Sequence, residues 1–129
     1  MANELRVLVV DDDDMIRSVV RIALQKVDSM VVFEAADGPE ALLVSAANQP
    51  DVILLDFQMP EMNGAETLKR LRADPATTSI PIIFLTAKTG RKARREYMQM
   101  GAIGTNEKPF EPLALGKEIL SVLAGATGA

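Results

Sequence analysis

Val52-Ile53-Leu54-Leu55-Asp56, followed by Phe57-Gln58-Met59-Pro60, decides the reading of this chain. An apolar run with no polar alternation has no solvent face, so it reads as a strand covered on both sides, the pattern of a central strand in a parallel sheet. Its last residue is a carboxylate. Open α/β sheets place ligands and chemistry outside the carboxyl ends of their strands, so Asp56 stands where a reactive group would.

Working outward, other strand-like runs end in polar groups as well. Leu5-Arg6-Val7-Leu8-Val9-Val10 runs into Asp11-Asp12-Asp13-Asp14, and Ile80-Pro81-Ile82-Ile83-Phe84-Leu85 runs into Thr86. A weaker segment at 103–107 runs into Lys108-Pro109. Strand-like segments at 5–10, 31–35, 51–55, 80–85 and 103–107 alternate with stretches whose apolar residues recur three and four apart. Those stretches predict helices over 14–27, 39–47, 64–73, 90–100 and 112–123. Asp13 or Asp14 suits the first N-cap, Pro39 the first position of the second helix, and Gly101 the C-cap of the fourth. Regular β-α alternation implies a parallel sheet with helices on both faces.

The bulk properties exclude several classes of function. A chain of 129 residues is sized for one domain. We expect a single unit over 1–129 with its core at about 5–123 and a flexible small-residue tail at 124–129, either a natural end or the stub of a linker. No apolar stretch approaches the ~20 residues that span a bilayer, and Met1-Ala2-Asn3-Glu4 lacks the basic and apolar regions of a signal peptide. The expected location is therefore cytoplasmic, without membrane insertion. The chain has no cysteine and no histidine. That removes disulfides, thiolate metal sites, histidine acid/base catalysis and most zinc sites. A net charge of −4 gives no case for direct nucleic-acid binding. Charge is uneven all the same, with Lys88, Arg91, Lys92, Arg94 and Arg95 clustered on one predicted helix and its approach. Such a cluster is either a solvated face or a docking face.

Taken singly, Asp56 is a turn or capping residue, Thr86 a local backbone hydrogen-bonder and Lys108 a surface lysine. At the ends of parallel strands they converge on one small volume, and there they suit metal-assisted phosphoryl transfer. An ionised Asp56 is the nucleophile, provided that desolvation does not raise its pKa too far. The incoming phosphoryl group adds negative charge, so a hard divalent cation is needed, and Mg²⁺ characteristically binds one or two carboxylates plus phosphate and water. Asp56 with one or both of Asp11 and Asp12 can supply the carboxylates, and a loop carbonyl after Asp56 a further oxygen. Lys108 and Thr86 can meet phosphoryl oxygens whose charge grows in the transition state.

Val9-Val10-Asp11-Asp12, Asp56 with Met59-Pro60 and Gly64, Thr86-Ala87, and Lys108-Pro109-Phe110 occur together in this order and spacing. With them the chain resembles a response-regulator receiver domain of two-component signalling, of the chemotaxis type, over roughly residues 5–123. The resemblance implies a flavodoxin-like doubly wound α/β fold, with five parallel strands in the order 2-1-3-4-5 and five helices. It implies that Asp56 accepts phosphate from a histidine on a sensor histidine kinase or histidine phosphotransfer protein, and that a downstream protein target reads the result. It implies Mg²⁺, or Mn²⁺ in its place, held directly by Asp12 and Asp56, by Asp11 through a water, and by the Gln58 backbone carbonyl. Thr86 would bond the phosphoryl group, Lys108 would pair with it after a cis Lys108-Pro109 bond, and the side chains of Gln58 and Lys88 would flank the attacking water. By the same resemblance the domain is no enzyme beyond its own phosphorylation and dephosphorylation.

The chain departs from the family pattern at one switch position. An aromatic residue usually stands three positions before the lysine, and here Thr105 does, followed by Asn106 and Glu107. The expected relay of activation is therefore movement of the loop after Thr86 and of the basic fourth helix. Two other classes compete with this reading. A haloacid-dehalogenase-type phosphatase also uses a strand-end Asp, a Ser/Thr, a Lys and Mg²⁺, but Met15 stands where its motif has Thr or Val, and no acidic pair ends a strand after Lys108. A receiver-like docking module that is never phosphorylated would lose the Asp, the Lys or the acidic pair, and all are present.

Overall fold

The structure is a computed structural model and describes residues 4–88 and 90–128. Its elements alternate as β1 (Arg6–Val10), α1 (Asp14–Asp28), β2 (Val31–Ala35), α2 (Gly38–Asn48), β3 (Val52–Asp56), α3 (Gly64–Ala73), β4 (Ile82–Thr86), α4 (Arg91–Met100), β5 (Gly104–Glu107) and α5 (Leu115–Gly128). All strand pairs are parallel and the sheet order is β2-β1-β3-β4-β5, so β3 is central as its apolar run requires.

Side chains that alternate along each strand divide the core in two. Leu8, Val10, Ile53, Leu55, Ile82 and Phe84 pack on Ala41 of α2, Leu68 and Leu71 of α3, and Ala93 and Tyr97 of α4. Val7, Val9, Val52, Leu54 and Ile83 pack on Val20 and Leu24 of α1 and on Leu115 and Ile119 of α5. With both faces covered, the strand termini remain open, and the carboxyl ends of β1, β3, β4 and β5 carry the polar residues singled out above.

Local chemistry sets the helix starts. Asp13 caps α1, its Oδ1 accepting from Met15 N at 2.8 Å and Ile16 N at 3.4 Å. Asp37 caps α2 by accepting from Glu40 N at 2.8 Å, which makes Gly38 the first helical residue and moves Pro39 from the expected first position to the second. Gly101 closes α4 with φ 114°, a left-handed conformation that favours glycine.

The last two elements differ from their sequence reading. α5 begins at Leu115 rather than near Pro112, and it runs to Gly128 rather than ending near Leu123. Ala124 and Ala126, strong helix formers, lie in this extension. The polar strand β5 keeps its place at the sheet edge by burying Asn106, whose Nδ2 donates to Glu118 of α5. Thr105 is half-buried and lies opposite Phe84 in the β4–β5 register.

Candidate functional site

The turn after β1 is tied down from several directions. Asp11 is fully buried, its Oδ1 accepts from Asp13 N at 2.9 Å, and its carbonyl accepts from Arg17 Nη1 at 2.6 Å. Arg17 is itself held by Asp14 and Glu34. Asp12 is exposed beside it. Across the sheet Asp56 is only 4% exposed, and its Oδ1 accepts from Gln58 N at 3.3 Å. The ammonium of Lys108, delivered by the loop after β5, lies 2.8 Å from Asp11 Oδ2 and 3.2 Å from Asp56 Oδ1. The Lys108-Pro109 peptide is cis.

Asp11, Asp12, Asp13, Ile16, Asp56, Gln58, Thr86, Ala87 and Lys108 line one pocket of about 230 Å³. Carboxylate oxygens of Asp11, Asp12 and Asp56 all lie within 4.8 Å of one another. Among the described residues, Asp11 Oδ2 is buried without an aligned hydrogen bond and is met by the charge of Lys108. Three carboxylates facing one ammonium leave the pocket negative, and oxygen donors at this spacing fit a hard divalent cation. Electrostatics agree with the crowding. Burial pushes the Asp56 carboxyl up to about 6, Asp11 adds to the rise, and Lys108 and the Gln58 N–H partly oppose it. Burial alone would lower the Lys108 pKa, but the two carboxylates outweigh it and the net shift is upward, so the ammonium stays charged.

Thr86 ends β4 and is buried, yet its hydroxyl is engaged elsewhere. Oγ1 accepts from Lys88 N at 3.0 Å and lies 3.3 Å from the Tyr97 hydroxyl. Tyr97 donates to the Lys88 carbonyl at 3.0 Å. Its ring packs against Phe57 (centroids 4.9 Å apart) and Phe84 (5.3 Å), which also touch each other at 5.1 Å. The structure thus brings Asp11, Asp12, Asp56 and Lys108 together and sets Thr86 and Gln58 on the same pocket. Lys88 and Thr105 are not on its lining; Lys88 is exposed and takes part through its backbone.

Three contributors escape a reading of the sequence. Tyr97 looks there like one more residue on the buried face of a helix, although it is the only tyrosine in the chain. Arg17 looks like surface charge. Gly64 looks like a helix start, but a Cβ there would fall 2.7 Å from both the Asp56 carbonyl oxygen and Phe57 Cα. It lets α3 pack directly on the loop that carries Asp56, and its N–H donates to Phe57 O at 2.8 Å.

Known proteins resemble this chain in sequence and fold. The chain is 38% identical over 119 residues to the response regulator PleD of Caulobacter vibrioides, a match that covers 91% of this chain and 26% of that protein. It is 36% identical over 117 residues to the phosphate regulon transcriptional regulatory protein PhoB of Pseudomonas aeruginosa, covering 91% of this chain and 51% of PhoB. The chain therefore spans about a quarter to a half of these relatives. Among solved structures, the chemotaxis response regulator CheY4 of Vibrio cholerae superimposes with a TM-score of 0.85 at 38% identity, covering 93% of this chain and 99% of CheY4. The response regulator receiver domain family matches residues 7–120, all but the ends. A sheet in the order 2-1-3-4-5 with an acidic cluster and a lysine at its carboxyl edge, matched by that family across nearly the whole chain, makes this protein a member of the response regulator receiver family.

Proposed function

We propose that Asp56 is the phosphoacceptor of this receiver domain and that a sensor histidine kinase or histidine phosphotransfer protein supplies its phosphate. One observation carries the reading: a single ammonium, Lys108, bridges the buried carboxylates of Asp11 and Asp56. An Asp56 oxygen attacks phosphorus, the P–O bond forms as the P–N bond to the donor histidine breaks, and the imidazole leaves with the bonding pair. Lys108, already 3.2 Å from Asp56, meets the charge of the transferred group. Thr86 donates to another of its oxygens once its hydroxyl turns toward the pocket.

Asp12, Asp56 and the Gln58 carbonyl would hold Mg²⁺ or Mn²⁺ directly, and Asp11 through a water. Such an ion, when bound, neutralises charge between nucleophile and phosphoryl group. The side chains of Gln58 and Lys88, both exposed at the rim, would flank the water that later hydrolyses the acyl phosphate. The domain catalyses nothing beyond its own phosphorylation and dephosphorylation. The added charge at Asp56 biases a two-state surface that a downstream protein reads. An apolar rim of Met15, Ile16, Val19, Pro109, Phe110 and Pro112 borders the site, a face suited to a phosphodonor protein. We place this activity in the cytoplasm, within one unit of about residues 5–123; among the described residues no helix is long and apolar enough to cross a membrane.

Intact-protein mass after incubation with acetyl phosphate and Mg²⁺ tests the proposal. A gain of one phosphoryl group, lost in Asp56→Asn and in EDTA, is expected. No gain while Mg²⁺ binds, with either acetyl phosphate or a histidine phosphodonor protein, overturns it.

A further inference from the structure

We propose that the Tyr97 hydroxyl is a positioning group for Thr86, holding the threonine proton away from Asp56 until a phosphoryl group outcompetes it. The inference rests on Asp56 being the phosphoacceptor.

Hydrogen bookkeeping leads to it. The phenol has one proton, and its shorter contact is to the Lys88 carbonyl at 3.0 Å, where it donates. The contact between Tyr97 and Thr86 at 3.3 Å must then be filled by the threonine proton. Thr86 Oγ1 is already an acceptor, from Lys88 N at 3.0 Å. The alternative acceptor for its proton, the Lys88 carbonyl, lies at 3.5 Å and is the poorer choice. In this state, therefore, the proton that the phosphoryl group needs is committed to α4. Thr86 cannot serve Asp56 without releasing Tyr97.

Tyr97 is not free to follow. It is 3% exposed, and its ring packs against both Phe57, next to the phosphoacceptor, and Phe84 of β4, which also touch each other. Among the residues of β5 no aromatic is present, and Thr105 stands opposite Phe84. The ring beside the site thus comes from α4 rather than from the strand. Breaking the Thr86–Tyr97 bond loosens α4 itself, the helix whose exposed positions carry Arg91, Lys92, Arg94 and Arg95.

The test reads the phenol directly. Tyr97 is the only tyrosine and tryptophan is absent, so the near-ultraviolet absorbance reports this one hydroxyl with a phenylalanine background. In full-length protein with acetyl phosphate and Mg²⁺, followed in parallel by intact mass, we expect the tyrosine band to shift as phosphate is gained and to stay still in Asp56→Asn. Beryllium trifluoride with saturating Mg²⁺ gives a second reading as a phosphoryl mimic. Tyr97→Phe keeps the ring and removes the competitor, so half-saturation, measured by calorimetry, should fall roughly threefold to tenfold, the weight of one hydrogen bond. In a Thr86→Val background the same change should have no effect, because no threonine proton remains to be held. A phosphoryl gain with an unmoved tyrosine band, or an equal Tyr97→Phe effect with and without the Thr86 hydroxyl, overturns the inference. Absence of any phosphoryl gain, with acetyl phosphate and with a histidine phosphodonor protein alike, overturns the reading of Asp56 on which it rests, and mass alone distinguishes that result. The decisive absorbance reading is made on the unsubstituted protein, so a folding defect in a variant cannot mimic a phosphoryl gain with an unmoved band.

Discussion

Lys108 Nζ lies closer to Asp11 Oδ2, at 2.8 Å, than a purely phosphate-directed lysine needs to. Asp11 is fully buried and fixed by its own turn, so it holds the ammonium in position before any phosphate arrives. The lysine is thereby a structural counter-charge as well as the proposed partner of the phosphoryl group. Lys108→Ala would leave two buried carboxylates facing each other without a cation. We expect a loss of about 2–4 kcal/mol in metal-free protein at neutral pH, measured by urea unfolding. The deficit should shrink on acidification through about pH 6, as the Asp56 carboxylate is neutralised. Acetyl phosphate should label this variant poorly even with Mg²⁺ present.

Asp56 predicts the opposite sign. Its carboxyl is raised from an ordinary 3.8 to about 6, first by burial and then by Asp11. A raised carboxylate pKa means that the ionised form destabilises the fold above the folded-state value. The penalty fades as pH falls through about 6 toward 3.8, where the unfolded chain also protonates. In EDTA above pH ~7, Asp56→Asn should therefore be more stable than the unsubstituted protein by on the order of 1–3 kcal/mol. The gap should close between about pH 6 and pH 4 in a series of thermal melts. The rate of labelling by acetyl phosphate should fall across the upper part of the same window, as the nucleophile is lost.

Gly64 joins α3 to the end of β3 and the turn after Asp56. A methyl group there meets backbone, at 2.7 Å from both the Asp56 carbonyl oxygen and Phe57 Cα, and neither can move without shifting the site. Gly64→Ala should destabilise the protein by about 1–3 kcal/mol. It should also slow phosphorylation at pH and Mg²⁺ levels where the variant remains folded. Normal stability with normal labelling would show that the loop accommodates the methyl.

Asn106 offers a stabilising change. It is buried in β5, and its Oδ1 has no hydrogen-bond partner while Nδ2 donates to the exposed Glu118. Asn106→Val removes the orphaned oxygen, releases Glu118 to water and supplies a β-branched side chain to a buried strand position. A gain of about 1 kcal/mol is expected in urea unfolding. A loss would mean that the Asn106–Glu118 bond fastens α5 to the sheet more strongly than the unpaired oxygen weakens it.

Much of the fold was readable along the chain because the signals are local. Val52 to Leu55 has no polar face, so it could only be a central strand. Asp13 and Gly101 terminate helices through bonds and dihedrals that reach no more than a few residues. Where those signals weaken, the reading slipped. Pro39 stands second in α2 because Asp37 takes the cap, and α5 starts and ends later than its apolar pattern. The polar strand β5 shows only in the structure how it keeps its place, since its anchor is a bond from Asn106 to a helix residue in the next element.

The same division runs through the site. By itself, the sequence determined which groups stand at the carboxyl ends of the strands: Asp11 and Asp12, Asp56, Thr86 and Lys108. Chain order and strand period decide that much, because a side chain at the end of a parallel strand has one edge of the sheet to occupy. Only the tertiary structure decided whom each group touches. Lys108 pairs with Asp11 across 97 positions of chain, Arg17 grips the Asp11 carbonyl, and Tyr97 reaches from α4 to occupy Thr86. Such pairings depend on the packing of helices against a twisted sheet to within a fraction of an ångström, and no period in the sequence encodes that distance.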